Sequence, residues 1–334
     1  MSELDVYKQT NIRIITDQYN ANMISLRNQL VANINRINAM NSSKMTKLIQ
    51  MNIVKNNYNA LVSKITLEYN NNKNKINSMT NMPNNKKALL IGINYIGTSN
   101  QLEGCIKDTI NVNNLLQTSF SYNNFTLLTD LTNKKPTKTN ILDGLTNLLV
   151  NSKEGDQLFF LYSGHGTHTA DLNGDELDGQ DEMIVPLDAV SVKTCILDDE
   201  LSKIINTNLK SGVKLFMLFD SCFSGTVLDL KYNYLETTVI NPNVSETKGQ
   251  VIMISGCKDD QTSADAYVNF NGKYDYSGAM TYSFLQTIKD LGTNITYKKL
   301  LENMRNILLN NGYPQIPQCS SGTLIDINTR CLDF

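Results

Sequence analysis

Two side chains in this sequence can serve as a nucleophile and its base, and each follows the same kind of segment. His165 stands in Ser163-Gly164-His165-Gly166, after the apolar run Gln157-Leu-Phe-Phe-Leu-Tyr162. Cys222 stands in Asp220-Ser221-Cys222-Phe223-Ser224-Gly225, after Lys214-Leu-Phe-Met-Leu-Phe219. A thiol attacks as its thiolate, and a nearby imidazole is the usual group that takes its proton. The 334 residues contain two histidines, His165 and His168, so the choice of base is nearly forced. His168 lies beyond the tight Gly-His-Gly turn and reads as a loop residue. Cys222 by itself would read as one more buried cysteine. The matched placement of the pair, each flanked by small residues, points instead to nucleophilic catalysis.

Positioning two such residues requires two strands that end at one edge. Short runs rich in Phe and Leu, closed by Gly and Ser, predict buried parallel strands. In open parallel sheets the chemistry sits outside the carboxyl ends of the strands. The flanking sequence fits such a sheet, with strands expected over 88–94, 125–128, 251–255 and 317–320. Helices are expected over 105–117, 137–150, from about Asp199, and over 278–289 and 297–310. Repeated βα units imply an α/β fold with a mostly parallel sheet flanked by helices on both faces. Residues 230–249 are polar and predict no regular element.

Residues 1–82 differ. They lack Gly and Pro, are rich in Asn, and space apolar residues at three- and four-residue steps: Tyr19, Met23, Leu26, Leu30, Ile34, Ile37, then Val54, Tyr58, Leu61, Ile65, Tyr69. That is a helical period with partial heptad character, broken near Asn41-Ser42-Ser43. It predicts either an amphipathic hairpin packed on the main domain or an oligomerising or regulatory coiled coil. Residues 70–75 and 82–85 read as linker.

Composition narrows the functional classes. The net charge of −2 conceals an asymmetry: ten Lys and Arg against four Asp and Glu in residues 1–82, twenty against twenty-eight in the rest. An acidic body suits cationic substrates or a bound cation. The six cysteines (105, 195, 222, 257, 319, 331) form no closely spaced framework, which predicts a reducing compartment. No apolar segment approaches the ~18 residues of a membrane span and no signal-peptide core is visible. The expectation is a soluble, cytoplasmic protein without membrane or nucleic-acid partners.

Tyr162-Ser-Gly-His-Gly166, Asp220-Ser-Cys222 with Ser224-Gly225-Thr226, and the acidic segment 171–188 (DLNGDELDGQDEMIVPLD) together resemble the type I arrangement of metacaspases, caspase-like cysteine peptidases, over about residues 86–323. The 57-residue spacing of His165 and Cys222 is near the ~50 of caspase-type enzymes. The resemblance implies a caspase-like sheet behind an N-terminal helical extension: residues 1–82 helical, 83–229 p20-like, 230–249 an intersubunit-type loop, and 250–334 p10-like. In such a site Cys222 attacks the scissile carbonyl and His165 protonates the leaving amine. The backbone N–H groups of Gly166 and Cys222 form the oxyanion hole, with Gly166 letting substrate approach closely.

The resemblance further implies an S1 pocket lined by Cys105, Asp108, Ser163 and Asp220, where two carboxylates would pair with Arg or Lys. Ser255-Gly-Cys257 and 259–265 match a family segment on the cleft rim. A calcium site is implied at Asp181, Asp198, Asp199 and Asp229, in keeping with the oxygen ligands Ca2+ prefers. Asp171, Asn173, Asp175 and Glu182 imitate an EF-hand loop, but Glu176 replaces the required glycine and a strand-like stretch follows, so an EF-hand is excluded. The chain departs from the family in carrying Phe223 where His is frequent, and in having Asn-rich helices in place of a Pro-rich prodomain.

The reading is a calcium-dependent cysteine endopeptidase that cuts protein or peptide substrates after Arg or Lys. It is a monomer or self-associates weakly through 1–82, and it processes itself at exposed lysines: Lys73, Lys75, Lys86 and Lys87 in the linker, Lys231 and Lys248 in the mid-chain loop. The alternative is a catalytically weak metacaspase-like scaffold acting through its N-terminal helices.

Overall fold

A strand covered on both faces sends alternate side chains into two layers, so it buries every position. The Phe/Leu runs are such strands. The computed structural model describes residues 3–78, 85–170, 180–221, 228–234, 238–256, 265–270 and 273–332. In chain order it runs through α1 (Glu3–Ala39), α2 (Lys44–Asn77), β1 (Lys86–Gly92), α3 (Cys105–Ser119), β2 (Asn124–Thr129), α4 (Lys138–Val150), β3 (Gln157–Ser163), β4 (Gly166–Ala170), β5 (Gln180–Ile184) and β6 (Ile196–Leu197). It continues with α5 (Asp198–Asn208), β7 (Lys214–Asp220), β8 (Tyr232–Tyr234), β9 (Thr238–Ile240), β10 (Gln250–Ser255), β11 (Asp265–Phe270), β12 (Lys273–Gly278), α6 (Ala279–Leu291), α7 (Tyr297–Asn310) and β13 (Gln318–Ser321). Two compact units result, Met1–Pro83 and Asn84–Phe334.

The larger unit is built on an eight-stranded sheet in the order β2-β1-β3-β7-β10-β13-β8-β9. The first five strands are mutually parallel. The last three join antiparallel. Leu90, Phe159, Phe216 and Ile254 face one layer with Val112 and Leu116 of α3, Phe284 of α6 and Met304 of α7. Leu89, Phe160, Met217 and Met253 face the other with Ile141 and Leu145 of α4 and Leu201 and Ile205 of α5. Full burial of each such side chain stabilises by about 1.5–3 kcal/mol.

Three local expectations are corrected. Residues 230–249 contain β8 and β9, which extend the central sheet through Asn233 opposite Ser320 and Tyr232 opposite Ser321. Their polar composition hid them because Tyr232 and Tyr234 bury their rings while the pairing partner lies far along the chain. His168 is a strand residue, opposite Glu182 in a small β4-β5-β6 sheet, because a hairpin follows the His165 turn. Finally, the hairpin of β11 and β12 was not anticipated.

In the smaller unit α1 and α2 form an antiparallel hairpin. Ser43 caps α2 by accepting from the Thr46 N–H, which places the turn where the apolar spacing breaks. Tyr19 stacks on Tyr69 with centroids 4.6 Å apart, and Lys8 Nζ donates to the Asn77 carbonyl at the open end. The seam is sparse: among described hairpin residues only Ile37 is fully buried, while Ile24, Ile53 and Leu67 are exposed. Among the described residues no helix is long and apolar enough to cross a membrane.

This contrast predicts unequal sensitivity to truncation. Phe216→Ala should lower the unfolding free energy of the larger unit by about 3–5 kcal/mol. Leu67→Ala should change the unfolding free energy of the smaller unit by less than about 0.5 kcal/mol. Denaturant unfolding of both variants checks the pair.

Candidate active site

β3 and β7 lie side by side in parallel, from Gln157 opposite Lys214 to Ser163 opposite Asp220. Neighbouring strands are ~4.8 Å apart, so whatever follows their carboxyl ends shares one rim. The Gly164 N–H donates to the Asp220 carbonyl at 3.2 Å and ties the two ends together just before His165.

His165 is half-buried. Its Nε2 lies 2.7 Å from the Asn100 carbonyl oxygen. A carbonyl can only accept, so Nε2 carries the proton and a neutral imidazole presents Nδ1 as its lone pair. Its backbone N–H donates to Tyr95 Oη at 3.0 Å, and its carbonyl accepts from Tyr162 Oη at 2.7 Å. Gly166 follows as the first residue of β4, half-buried and in register with Ile184. Cys222 and Phe223 lie outside the described residues; by sequence Cys222 is two residues past Asp220, as His165 is two past Ser163.

Beside this rim the structure brings together Cys105, Asp108, Ser163 and Asp220, all buried. Asp108, in the first turn of α3, accepts from Ser163 Oγ at 2.7 Å, Ser277 Oγ at 2.5 Å and the Gly278 N–H at 3.0 Å. Asp220 accepts from the Thr281 N–H at 2.7 Å. Burial and then the charge of Asp220 push the Asp108 carboxyl well above the usual carboxylate range, against the donors that favour its ionised form. Among the described residues, the groups acting on Asp108 are neutral donors and a second carboxylate. A Cβ on Gly278 would stand 2.1 Å from Asp220 Oδ2 and 2.9 Å from Asp108 Oδ2, so the pocket requires its absence. Ser277, Gly278 and Thr281 were missed by the sequence reading, and no local signal marks them: they reach Asp108 and Asp220 from a hairpin and helix distant along the chain.

Of the four acids assigned to calcium, Asp181 and Asp198 are buried. Asp198 Oδ1 accepts from the Asp199 N–H at 2.9 Å, whereas its buried Oδ2 has no hydrogen-bond partner among the described residues. Burial, and next the charges of Asp229, Glu182 and Asp199, push the Asp198 carboxyl up to about 9. Glu182 thus joins the group, a role the sequence reading did not give it. Among the described residues no three His, Cys, Asp or Glu side chains stand ready-made as a metal cage. Asp171, Asp175 and Glu176 lie outside the described residues.

The lysines are placed differently from expectation. Lys73 and Lys75 belong to α2, which runs on to Asn77 because neither Gly nor Pro precedes Pro83. Lys86 and Lys87 open β1: Lys86 Nζ donates to the Phe120 carbonyl at 3.0 Å, and Lys87 Nζ lies 3.6 Å from Asp156. None of these four is in a linker. Lys231 is half-buried beside β8, and Lys248 is exposed outside helix and strand. Ser255 ends β10, while Cys257 and 259–264 lie outside the described residues.

The sequence profile of the metacaspase peptidase C14 domain matches residues 86–231. Metacaspase-1 of Meyerozyma guilliermondii is 38% identical over 306 residues, covering 75% of this chain and 73% of the relative. The chain belongs to the metacaspase family. Metacaspase-1 of Saccharomyces cerevisiae is 37% identical over 301 residues (73% of this chain, 68% of the relative), and that of Schizosaccharomyces pombe is 35% identical over 298 residues (73% and 68%). A crystal structure of a Geobacter sulfurreducens protein shares the fold at a TM-score of 0.53 and 23% identity, covering 74% of this chain and 98% of that one. This metacaspase is therefore a cysteine-type peptidase, acting on protein substrates.

The raised Asp108 sets a pH dependence for this metacaspase. A carboxyl whose folded pKa exceeds its unfolded value stabilises fully below the unfolded pKa, and that contribution is lost as pH rises toward the folded one. In a Cys222→Ala background, the Tm difference between Asp108→Asn and its parent should move in favour of Asp108→Asn as pH rises from about 4 into the neutral range. Thermal unfolding across that range reads it; a constant difference would mean that Asp108 titrates normally.

Proposed function

We propose that this metacaspase is a calcium-dependent endopeptidase that cleaves after Arg or Lys through a His165–Cys222 dyad. The observation that carries the specificity is Asp108: a fully buried carboxyl, held by three neutral donors beside Asp220, with no cation among the described residues acting on it. An Arg or Lys side chain supplies the missing positive charge, and for Arg the pairing is charge-assisted and bidentate. Substrates ending in Asp would add a further negative charge to the same pocket.

The assignment of roles follows from His165. With its Nε2 proton committed to the Asn100 carbonyl, Nδ1 accepts the proton of the Cys222 thiol. The thiolate adds to the scissile carbonyl, and the oxyanion is received by the N–H groups of Gly166 and Cys222. The imidazolium then gives its proton to the leaving amine as the C–N bond breaks. Water, deprotonated by the same Nδ1, hydrolyses the thioester and restores the thiol.

Calcium is supported by the chemistry of the donors. Asp181, Glu182, Asp198, Asp199 and Asp229 offer only oxygen, and the orphaned Asp198 Oδ2 with its raised pKa marks uncompensated negative charge. Bound there, the ion would neutralise mutual repulsion and order the β4-β5 region after His165. For self-processing, Lys248 suits the proposed specificity best, as the candidate lysine exposed outside regular structure.

A panel of peptides with Arg, Lys or Asp at P1, assayed in calcium and in chelator, tests the reading. Cleavage after Arg and Lys is expected in calcium alone, with Asp108→Ala losing about 2–5 kcal/mol in kcat/KM on both. Preference for Asp overturns the pocket, full activity in chelator overturns the metal, and no turnover of any peptide favours a scaffold role.

The dyad has its own test. Cys222→Ala should abolish turnover, and His165→Ala should reduce kcat ~10⁴-fold, as losing a nucleophile–base unit does. His168→Ala should change it little. Comparable activity in Cys222→Ala would sink the mechanism.

A further inference from the structure

The loop between β1 and α3 does more than connect. It contributes to His165 both the carbonyl of Asn100 and the side chain of Tyr95, which no sequence motif had singled out. Tyr95 is buried, with 6% of its surface exposed. Its ring lies against the imidazole, with centroids 4.7 Å apart and planes inclined by 34°. Its Oη accepts the His165 N–H at 3.0 Å and donates to the Val185 carbonyl at 2.7 Å. Tyr162 mirrors it, accepting the Val185 N–H at 3.1 Å and donating to the His165 carbonyl at 2.7 Å.

A phenol has one proton and can accept as well. Here each of the two hydroxyls can take one amide hydrogen and give its own to one carbonyl. The two hydroxyls lie 3.2 Å apart, and with the direct bond from the Val185 N–H to the His165 carbonyl at 3.1 Å they form one network that joins the backbones of His165 and Val185. Burial raises both phenols above their ordinary range, so they stay protonated as this pattern requires. A Cβ on Gly164 would stand 2.9 Å from Tyr162 Oη and 3.0 Å from Tyr95 Oη, which explains why the residue before His165 has no side chain.

Tyr95 is held in place at some cost. Its φ is +51°, a left-handed conformation that a bulky residue adopts only when its surroundings impose it. Asp130, buried at the end of β2, imposes it: Oδ2 accepts the Asn94 N–H at 2.8 Å and Oδ1 accepts the Ile96 N–H at 3.1 Å, one on each side of Tyr95. The loop base is closed by the Leu102 N–H donating to the Asn94 carbonyl at 2.8 Å. Strain sustained by a buried carboxylate beside a reactive group is what a positioning device looks like.

We propose that Tyr95 is a positioning residue for His165, its hydroxyl fixing the backbone of the His165 turn and its ring fixing the plane of the imidazole. The proposal rests on the reading of His165 as the base. It separates two contributions: the hydroxyl sets where the imidazole and the Gly166 N–H stand, and the ring, together with the Asn100 carbonyl, sets which nitrogen meets the thiol. Misplacing a reacting group by about 1 Å can cost ~10²-fold in rate, without altering how substrate is held.

The experiment uses the full chain with calcium. Tyr95→Phe keeps the ring and loses the hydroxyl; kcat should fall about tenfold with KM little changed, since the Tyr95 hydroxyl bonds to His165 and Val185 and not to Asp108 or Asp220 among the described contacts. Tyr95→Leu loses both and should fall a further tenfold or more. In parallel, proton and nitrogen NMR of the imidazoles is read in a Cys222→Ala background. Only two histidines contribute, and His168→Gln assigns them. The stacked ring should displace the His165 ring protons upfield in the parent and in Tyr95→Phe, and the displacement should vanish in Tyr95→Leu. A general loss of stability would lower Tm without moving these signals. Wild-type kcat in Tyr95→Phe, or unmoved His165 signals in Tyr95→Leu, overturns the positioning role. Full activity in His165→Ala overturns the dyad itself, and the NMR arm keeps the two failures apart.

Discussion

The parallel pairing of β3 with β7 is the constraint on which the rest depends. Ser163 opposite Asp220 sets one edge of the sheet, and the Gly164 N–H bonded to the Asp220 carbonyl extends it. From this pair the chain turns outward toward His165 on one side and enters the segment of Cys222 on the other. The same two residues face α3, where Ser163 donates to Asp108. The proposed reaction centre and recognition pocket therefore hang from one register, and slipping that register by one residue would turn every side chain of the strand to the opposite face.

Holding Asp108 and Asp220 together works against folding. A buried carboxyl near another is disfavoured in its charged form, and the neutral donors Ser163, Ser277, Gly278 and Thr281 offset that only in part. The two-layered core around Phe159, Phe216, Phe160 and Met217 is what tolerates it. A second acidic group around Asp198 repeats the arrangement at β5 and α5. The larger unit thus keeps its unfavourable charge in two places, both within reach of the His165 rim through β3 and β4. The hairpin of α1 and α2, with Ile37 alone fully buried among its described residues, makes no comparable investment in packing.

Caspase-like architecture leaves the His165 turn to be shaped locally. The Tyr95 and Tyr162 hydroxyls bind its two peptide groups, Asp130 holds the loop that carries Tyr95, and Asn100 completes the imidazole's hydrogen bonding. These groups come from the ends of three strands, Tyr95 and Asn100 after β1, Asp130 after β2 and Tyr162 in β3, so the loops after them act as one structure.

How much of this was legible before folding depends on range. Runs such as 157–162 and 214–219 state their burial in their own composition, and the Thr296 cap, which accepts from the Lys299 N–H, begins α7 where the helical period does. The break at Ser43 was likewise readable, because the apolar spacing stops there and a capping residue follows. The sequence could not reveal β8 and β9, whose Tyr-Asn-Tyr pattern becomes a strand only when β13 supplies a partner. Nor could it show that Lys86 and Lys87 are bound to Phe120 and Asp156 rather than lying in a linker, since each partner is remote in the chain. Ser277, Gly278 and Tyr95 belong to the same class: as residue types they are unremarkable, and they acquire a role through what the fold sets against them. The sequence by itself determined the buried central strands, the long helices and which reactive side chains the chain offers, because burial periodicity and residue type are local properties. The tertiary structure alone decided which donors hold each carboxylate and which ring holds the histidine, because those are contacts between segments that only the packed sheet brings together.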